Sequence, residues 1–364
     1  MNKKILIIGS TGKLGSKILS YTFKNKIHIT CIVGFKNKSK LLIQKARYNI
    51  KNSFLISNTT EKENFKIYLR KNKFDLVYFL DFGSNSLEYL NIFNKNNKNS
   101  IVAIANKEML IAGGDILINQ INLSKNTLIP LDSEHFSIFN SNIENKDINK
   151  IFITASGGPF YFNKKLDLKK VSFKQVISHP KWNMGINNSI DSSNFFNKIL
   201  EIYELRSIYQ IDIKKVSFLL SRSAYIHSII IYNSGSISIN CFENDMLITL
   251  RRPLEFLFNL KPYNYKKQFL SLSNLKLEEF NDTRFKLYKH FKFLLSLNHS
   301  QQIELMIINN LAQKKYINGT LEYNDIVDFI IEKVKHSKPK KLNSIKQILS
   351  YIEKLRIIYD EKNF

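Results

Sequence analysis

Two carboxylate residues follow the last of a series of short apolar runs in this sequence. The apolar run Leu128 to Leu131 leads directly into Asp132-Ser133-Glu134-His135, within the segment 130–135. If the chain stays extended there, alternate side chains face the same way, so Asp132 and Glu134 would lie on one side. Hard oxygen donors of this kind suit Mg²⁺ or Mn²⁺. Alone, an Asp-x-Glu pair is more often a surface pair or a helix cap, so a metal site needs further donors.

The segment 191–201 offers those further donors. Its pattern predicts one long helix that starts near Asp191 and places Asn197 and Glu201 on one face, four residues apart. Glu201 can therefore supply a third carboxylate. Ser192, expected near the helix start, and Lys198 are the hydroxyl and ammonium donors that a phosphate group needs. A helix cap and a surface lysine are the alternative interpretation.

Two more segments suit the same chemistry. Residues 154–160 form a turn of small residues that includes Ser156, Gly157 and Gly158, and residues 179–185 contain the only tryptophan, Trp182. The stretch between them is a candidate lid that closes over substrate and excludes water. Trp182 is equally compatible with an ordinary core position, which composition alone favours.

A glycine-rich turn follows the first apolar run. The residues Gly9-Ser10-Thr11-Gly12-Lys13-Leu14-Gly15 lie between a predicted strand and a helix that begins near Gly15. Glycines allow the backbone to approach a pyrophosphate at the helix N-terminus, where unpaired amides favour anions. Because strand and helix flank the motif, it predicts dinucleotide binding rather than a merely tight turn.

The end of the second predicted strand indicates which dinucleotide binds. NAD enzymes commonly place Asp or Glu there, whereas here Val33 leads into Gly34-Phe35-Lys36-Asn37-Lys38. This cationic cluster suits the additional phosphate of NADPH. In a lysine-rich chain, Lys36 as a solvated loop charge is the alternative.

The elements that must position these residues form a doubly wound pattern. Short apolar runs, which read as buried strands, alternate with helical stretches. This alternation predicts a mainly parallel, Rossmann-like α/β sheet with ligands at the carboxyl ends of the strands. The predicted strands are Ile5 to Ile8, Ile27 to Val33, Phe54 to Ile56, Leu76 to Leu80, Ile101 to Ala105 and Leu128 to Leu131.

The pattern changes after the first domain. From Ile151 it indicates an α+β region with two strands around the turn Asn233-Ser234-Gly235, and beyond about residue 280 the periodicity is helical. We therefore predict three domains: an NADPH-binding domain at 1–131, a catalytic α+β domain at 132–275, to which the family resemblance described below adds a role in dimerisation, and a C-terminal helical domain at 276–364.

Composition limits the possible functions. The formal charge of +25 raises nucleic-acid binding as a rival, but the excess lysine is scattered beside abundant Asn and Ile, and no recognition motif is visible. Nucleic acid is therefore an unlikely partner. The start of the chain leaves no room for a targeting peptide, and no apolar run approaches the length of a membrane span. With two cysteines and no disulfide or zinc spacing, a cytoplasmic protein is expected.

Read in order, these motifs together with Ala105-Asn106-Lys107-Glu108 resemble 1-deoxy-D-xylulose 5-phosphate reductoisomerase. The resemblance implies an NADPH-dependent and metal-dependent enzyme that makes 2-C-methyl-D-erythritol 4-phosphate for isoprenoid precursors, and a homodimer. It is strong from Met1 to about Arg206 and fades through the rest of the chain.

The resemblance implies roles for residues at matching positions. Lys107, Glu134 and Glu201 would be catalytic, and the metal would be held by Asp132, Glu134 and Glu201. The residues implied in binding the phosphorylated sugar are Ser133, Glu134, Ser156, His179, Trp182, Met184, Ser192, Asn197, Lys198 and Glu201, with Lys107 also at its hydroxylated backbone. The residues implied in binding NADPH are Gly9, Ser10, Thr11, Gly12, Leu14, Gly34, Lys36, Asn37, Asn106, Lys107, Glu108 and Gly185.

Departures from the family pattern are concentrated late in the chain. Ser221-Arg222-Ser223 stands where the family usually reads His-Pro-Gln, and residues 243–246 and 306–310 keep only parts of their motifs. Phe35 also replaces a small residue. A degenerate NADPH-binding regulator is one rival, and an aldehyde dehydrogenase that uses a thiolate is another. Retention of every implied metal and phosphate residue favours the enzyme.

Overall fold

The computed structural model describes residues 3–141, 147–178, 185–260 and 275–359. The chain divides into two compact units: one comprises Met1–Phe139 with Asp245–Lys267, and the other comprises Asn140–Asn244 with Gln268–Phe364. The first unit therefore includes a helix from late in the chain, which the sequence pattern does not indicate. The predicted division into three domains stays a prediction.

The first unit is built on a six-stranded sheet. All neighbouring strands are parallel and lie in the order β3-β2-β1-β4-β5-β6, which confirms the predicted doubly wound fold. The residues of β1, β2, β4 and β5 are buried, as expected for a sheet covered on both faces. The strands are β1 (Ile5–Ile8), β2 (Cys31–Gly34), β3 (Asn52–Leu55), β4 (Leu76–Phe79), β5 (Ile101–Ile104) and β6 (Thr127–Pro130).

Helices connect these strands and pack on the sheet. A further helix of this unit comes from late in the chain and contacts β4. The Tyr78 hydroxyl of β4 donates to the Leu250 carbonyl of that helix at 2.7 Å. The helices of this unit are α1 (Lys13–Lys24), α2 (Lys38–Arg47), α3 (Thr59–Lys71), α4 (Ser86–Asn96), α5 (Lys107–Leu123), α6 (Ser133–Asn140) and, from later in the chain, α10 (Leu247–Phe258).

The second unit contains a mixed five-stranded sheet in the order β10-β9-β7-β8-β11. Its strands are β7 (Ile148–Ala155), β8 (Val216–Leu220), β9 (Ile226–Tyr232), β10 (Ile237–Cys241) and β11 (Glu278–Glu279). β9 and β10 are antiparallel and flank the predicted turn, where Gly235 has a φ of +84°. The hairpin prediction is confirmed.

Helices make up the rest of the second unit. They are α7 (Phe173–Ile177), α8 (Ile186–Ser193), α9 (Phe196–Tyr209), α11 (Lys286–Leu295), α12 (His299–Ile317), α13 (Ile326–Lys335) and α14 (Ile345–Tyr359). The last four confirm the helical periodicity predicted beyond residue 280. Across the described ranges, no helix has both the length and the apolar character needed to span a bilayer.

The prediction of one long helix from Asp191 is wrong. Two helices are present instead, and the helical conformation is interrupted between them at Asn194 and Phe195. The Asn194 side chain accepts from the Phe196 amide at 2.9 Å, and Phe195 takes a φ of +68° that ends helical geometry. Phe195 is buried against Phe280, with ring centroids 4.5 Å apart. Tertiary packing therefore stabilises a break that helical periodicity does not show.

Candidate functional site

The glycine-rich turn has the geometry of a dinucleotide-binding turn. Gly9 has a φ of +87°, and a Cβ there would lie 2.5 Å from the Asp81 amide nitrogen. A Cβ at Gly15 would lie 2.4 Å from the Gly9 carbonyl oxygen. Both positions thus require glycine, and the helix begins at Lys13, slightly before the predicted Gly15. The first turn of α1 presents backbone amides to an anion.

Ser10 in this turn is consistent with a bound nucleotide. Its side chain is fully buried, and its Oγ has no hydrogen-bond partner within the described residues. Because a buried hydroxyl without a partner is costly, a ligand or water partner is expected. The residues of the turn therefore fit a dinucleotide.

The chain after β2 is exposed and cationic. Phe35, Lys36 and Asn37 are exposed, and the Lys36 ammonium lies 5.5 Å from the centroid of the Phe35 ring. The Asn37 side chain caps α2 by accepting from the Lys40 amide at 3.0 Å. Gly34 is buried against Thr11 and Leu41. Lys36 and Lys38 are thus both solvent-accessible cations in the segment that follows β2.

At the end of β6, Asp132 is held by two cationic or potentially cationic groups. The Lys107 ammonium donates to Asp132 Oδ2, and His135 Nδ1 lies 3.0 Å from Asp132 Oδ1. Burial alone would raise the pKa of Asp132, but Lys107 and His135 outweigh burial and hold this pKa well below its usual range. Asp132 is therefore kept as the anion that a metal ligand must be.

The expectation that Asp132 and Glu134 lie on an extended chain is wrong. Asp132 instead precedes α6, and its carbonyl accepts from the Phe136 amide at 2.8 Å while its carboxylate accepts from the Glu134 amide at 3.2 Å. Asp132 therefore acts as the N-cap of α6, a conformation that Asp favours. Glu134 lies in the first turn, where the Ser133 hydroxyl donates to Glu134 Oε2 at 2.5 Å.

Asn106 and Glu108 organise the loop that follows β4. The Asn106 side chain caps α5 by accepting from the Met109 amide at 2.9 Å, and it donates to the Gly83 carbonyl at 2.9 Å. Glu108 accepts from the Gly83 amide at 3.5 Å. Asn106 also donates to Asp81, whose pKa is raised to about 6 by burial. Asn106 and Glu108 thus have a structural role in this loop, and their predicted contact with NADPH stays a prediction.

In the second unit, Glu201 is the centre of a buried polar group on α9. The Asn197 amide donates to Glu201 Oε1, and the Lys198 ammonium donates to Glu201 Oε2 at 2.6 Å. Lys198 and Glu201 are 7% and 1% exposed. The predicted alternative of a surface lysine is therefore wrong for Lys198. The spacing of four residues between Asn197 and Glu201 does place them on one face, as predicted.

The two predicted phosphate segments meet within the second unit. Gly158 has a φ of +57°, and a Cβ there would lie 2.8 Å from the Ser192 carbonyl oxygen. Ser192 lies in the last turn of α8, not near a helix start as predicted, because that helix already begins at Ile186. It is half-buried between the buried Asp191 and Ser193, and Ser156 is half-buried too. Both hydroxyl-bearing residues are thus partly accessible, Ser192 in α8 and Ser156 directly after β7.

The thiolate alternative is not supported by either cysteine. Cys31 is fully buried in β2, and burial raises the pKa of its thiol. Cys241 is exposed at the end of β10, yet partial burial raises the pKa of this thiol as well. A nucleophilic cysteine requires a lowered pKa, so neither residue has the character of a catalytic thiolate.

Comparison with known proteins identifies the family. Residues 128–209 match the 1-deoxy-D-xylulose 5-phosphate reductoisomerase C-terminal domain. The chain is 32% identical to the 1-deoxy-D-xylulose 5-phosphate reductoisomerase of Pelagibacter ubique, over 96% of this chain and 97% of that protein. The chain belongs to the 1-deoxy-D-xylulose 5-phosphate reductoisomerase family. It is also 27% identical to the reductoisomerase of Clostridium novyi over the full length of both proteins.

Solved structures of reductoisomerases share the fold. The enzyme from Zymomonas mobilis in complex with NADPH has a TM-score of 0.82 at 22% identity and covers 98% of both chains. A reductoisomerase in complex with NADPH, fosmidomycin and magnesium has a TM-score of 0.83 at 22% identity, over 98% of this chain and 97% of that one. The resemblance stated from the motifs is confirmed.

Some predicted site residues receive no structural account. His179, Trp182 and Met184 lie outside the described residues. Gly185 is described, and it is the N-cap of α8. The predicted metal ligands belong to different units, with Asp132 and Glu134 in one and Glu201 in the other, so their joint role stays a prediction.

The positions that depart from the reductoisomerase pattern form their own contacts. The Arg222 guanidinium lies 5.0 Å from the Phe162 ring centroid, and the Asn244 amide donates to the Ser223 carbonyl at 3.1 Å. Asp245 pairs with Lys17 of α1 at 2.6 Å. Two of the divergent segments are thus linked by a hydrogen bond.

Two polar residues near the predicted site residues, His135 and Asp191, were not assigned a site role from the sequence. His135 lies within the segment quoted for the metal site, three residues after Asp132, and this helical spacing was the available signal. Asp191 was treated only as a helix start, yet it accepts hydrogen bonds from Asn309 and Gln313, more than 115 positions later. Local sequence carries no signal for that contact.

Proposed function

We propose that this chain converts 1-deoxy-D-xylulose 5-phosphate to 2-C-methyl-D-erythritol 4-phosphate, with NADPH as the reductant and Mg²⁺ or Mn²⁺ as the metal. The observation that carries this proposal is similarity over nearly the whole length of a reductoisomerase at 32% identity. The polar groups at Asp132 and Glu201 support it, because each is built from the residue types that the reaction requires.

Three carboxylates are proposed to hold the metal: Asp132, Glu134 and Glu201. When bound, the cation would stabilise negative charge on the substrate's ketone and hydroxyl oxygens during rearrangement of the carbon skeleton. Asp132 is anionic because of Lys107 and His135, and Glu201 has Lys198 beside it. Asp132 therefore offers charged oxygens, as hard cations prefer, and Glu201 offers a carboxylate that Lys198 already holds in place.

Lys107 is proposed to orient the substrate. Its side chain is largely buried and already pairs with Asp132, so its ammonium is fixed at the end of β6. An ammonium held there can donate to substrate oxygens without the entropic cost of ordering a flexible side chain. Ser133 and Asn197, which contact Glu134 and Glu201, are proposed to bind the hydroxylated part of the sugar.

The turn at Gly9 to Gly15 and the loop at Lys36 are proposed to bind NADPH, which supplies the hydride for reduction. The first turn of α1 would bind the pyrophosphate, and Lys36 would pair with the additional phosphate. Ser156, Ser192, Asn197 and Lys198 are proposed to bind the phosphate of the sugar. The contact of Gly158 with Ser192 supports that group, because it joins two of its segments.

We further propose that the chain is a cytoplasmic homodimer. β10 is the edge strand of its sheet, and it presents Ile237 and Ile239, which are 61% and 54% exposed, on one face. An exposed apolar edge strand is an association surface that isolated monomers usually avoid. Light scattering of the purified protein tests the oligomeric state. A monomer at working concentrations would refute the proposed homodimer.

The function is tested by product identity. Purified protein is incubated with 1-deoxy-D-xylulose 5-phosphate, NADPH and Mg²⁺ or Mn²⁺, and NADPH oxidation is followed by absorbance. The product is then identified by mass spectrometry and NMR. We expect one NADPH consumed per branched product and no turnover with chelator. A linear reduced sugar phosphate, or no product despite NADPH and metal binding, would refute the assignment.

A further inference from the structure

We propose that Asn309 and Gln313 are positioning residues for the phosphate-binding turn at Ser192, and that they act through the buried carboxylate of Asp191. This inference rests on the proposed function, because it takes Ser192 as a ligand of the substrate phosphate. It assigns a role to the segment 306–310, where the family motif is largely replaced.

The contact joins α8 to α12 inside the second unit. Asn309 Nδ2 donates to both oxygens of Asp191 at 3.1 Å, and Gln313 Nε2 donates to Asp191 Oδ1 at 2.6 Å. Asp191, Asn309 and Gln313 are 5%, 2% and 1% exposed. Asn309 and Gln313 are four residues apart on α12, so one helix face directs both amides at this carboxylate.

Both amides donate to Asp191, and Gln313 Nε2 also donates to the Asn187 carbonyl at 3.3 Å. Asn309 Oδ1 and Gln313 Oε1 are buried and have no partner in the described part of the chain. Two such acceptors are costly, and hydrogen bonds to a charged carboxylate are worth more than bonds between neutral groups. Reversing either amide would turn its oxygen toward the carboxylate oxygens, so the hydrogen bonds to Asp191 fix both orientations.

Ser192 is fixed from both of its neighbours. Asp191 precedes it and is held by α12, while the carbonyl of the following residue, Ser193, accepts from the Tyr323 hydroxyl at 3.0 Å. Gly158 packs against the Ser192 carbonyl oxygen from the other phosphate segment. Residues from late in the chain therefore hold the backbone on both sides of Ser192, and a displacement there would move its hydroxyl away from the phosphate and weaken phosphate binding.

The test compares two adjacent asparagines on α12. Asn309→Asp keeps the size of the side chain but sets a second carboxylate against Asp191. Asn310→Asp makes the same chemical change at a half-buried neighbour and is the matched control. The double variant Asp191→Asn with Asn309→Asp exchanges the partners, so that the amide at 191 donates to the carboxylate at 309 and still accepts from Gln313.

We measure KM for 1-deoxy-D-xylulose 5-phosphate, kcat, the NADPH dissociation constant, the melting temperature, and binding of inorganic phosphate by calorimetry. Asn309→Asp is expected to raise KM and the phosphate dissociation constant about tenfold, with kcat and NADPH binding within about threefold. Asn310→Asp should stay within about twofold of the wild type, and the exchanged pair should recover to within about threefold.

The proposal is overturned if Asn309→Asp and Asn310→Asp behave alike. It is also overturned if the exchanged pair regains melting temperature without regaining phosphate affinity. If Asn309→Asp does not fold, Gln313→Met, which removes one donor without adding charge, should still weaken phosphate binding about threefold. A wild type that binds phosphate but makes no branched product would refute the proposed function, whereas the calorimetric comparison would still test Asp191.

Discussion

Gly158→Ala is the substitution for which the structure gives the most direct expectation. The residue has a φ of +57°, where alanine is less stable than glycine by about 1 kcal/mol. Its Cβ would lie 2.8 Å from the Ser192 carbonyl oxygen, and ordinary contact begins near 3.4 Å. The Ser192 carbonyl oxygen and the backbone of residue 158 must therefore move apart by about 0.6 Å. Since a displacement of about 1 Å can reduce turnover about 100-fold, we expect kcat/KM to fall at least about tenfold.

Gly319→Ala is the matched control for that experiment. Gly319 has a φ of +72° in the same unit, but no atom lies within 4 Å of its added Cβ. In thermal unfolding Gly319→Ala should lose about 1 kcal/mol, and Gly158→Ala should lose about 1 to 3 kcal/mol more because of the added overlap. Only Gly158→Ala should raise KM for the phosphorylated substrate and weaken competitive inhibition by inorganic phosphate. Equal kcat/KM for the two variants would refute the inferred contact between Gly158 and the phosphate turn.

Three further predictions address the metal, the nucleotide and pH. Glu201→Gln should weaken Mn²⁺ affinity in calorimetry by at least about tenfold, because a neutral amide replaces an anionic ligand; unchanged activity at limiting metal contradicts this. Lys36→Ala with Lys38→Ala should raise KM for NADPH about tenfold and leave KM for NADH within about twofold; equal changes would exclude the phosphate role. Burial raises the pKa of Asp81 from 3.8 to about 6, so its ionisation destabilises the folded state as pH rises through that interval. Asp81→Asn should therefore stabilise the protein above about pH 6 by at most about 3 kcal/mol, with no gain below about pH 4 in urea unfolding; a gain independent of pH would contradict the assigned cause.

Local sequence was sufficient for the nucleotide-binding sheet and its glycine-rich turn. Most strands of that sheet contain a short apolar run, and Gly15 is required by contacts within the turn itself. The helix face that carries Asn197 and Glu201 was also predictable, because a spacing of four residues is a property of any α-helix. These features depend on neighbours a few residues apart.

Features decided by distant neighbours were not predictable. The break at Phe195 depends on Phe280, 85 positions later. The cap that Asp132 gives α6 is, by contrast, a local interaction, and the expectation of an extended chain there was wrong. The sequence also gave no reason for α10 to belong to the first unit, where the Tyr78 hydroxyl contacts it.

The sequence by itself determined the family, the chemistry of the site residues and the doubly wound sheet, because motif spacing and hydrophobic periodicity are local properties of the chain. Only the tertiary structure decided how those residues are held. Lys107 and His135 keep Asp132 charged, Lys198 is buried against Glu201, and Asp191 is bound by amides from α12. A buried charge is tolerated only with partners that satisfy it, and which residues become partners depends on how distant segments pack.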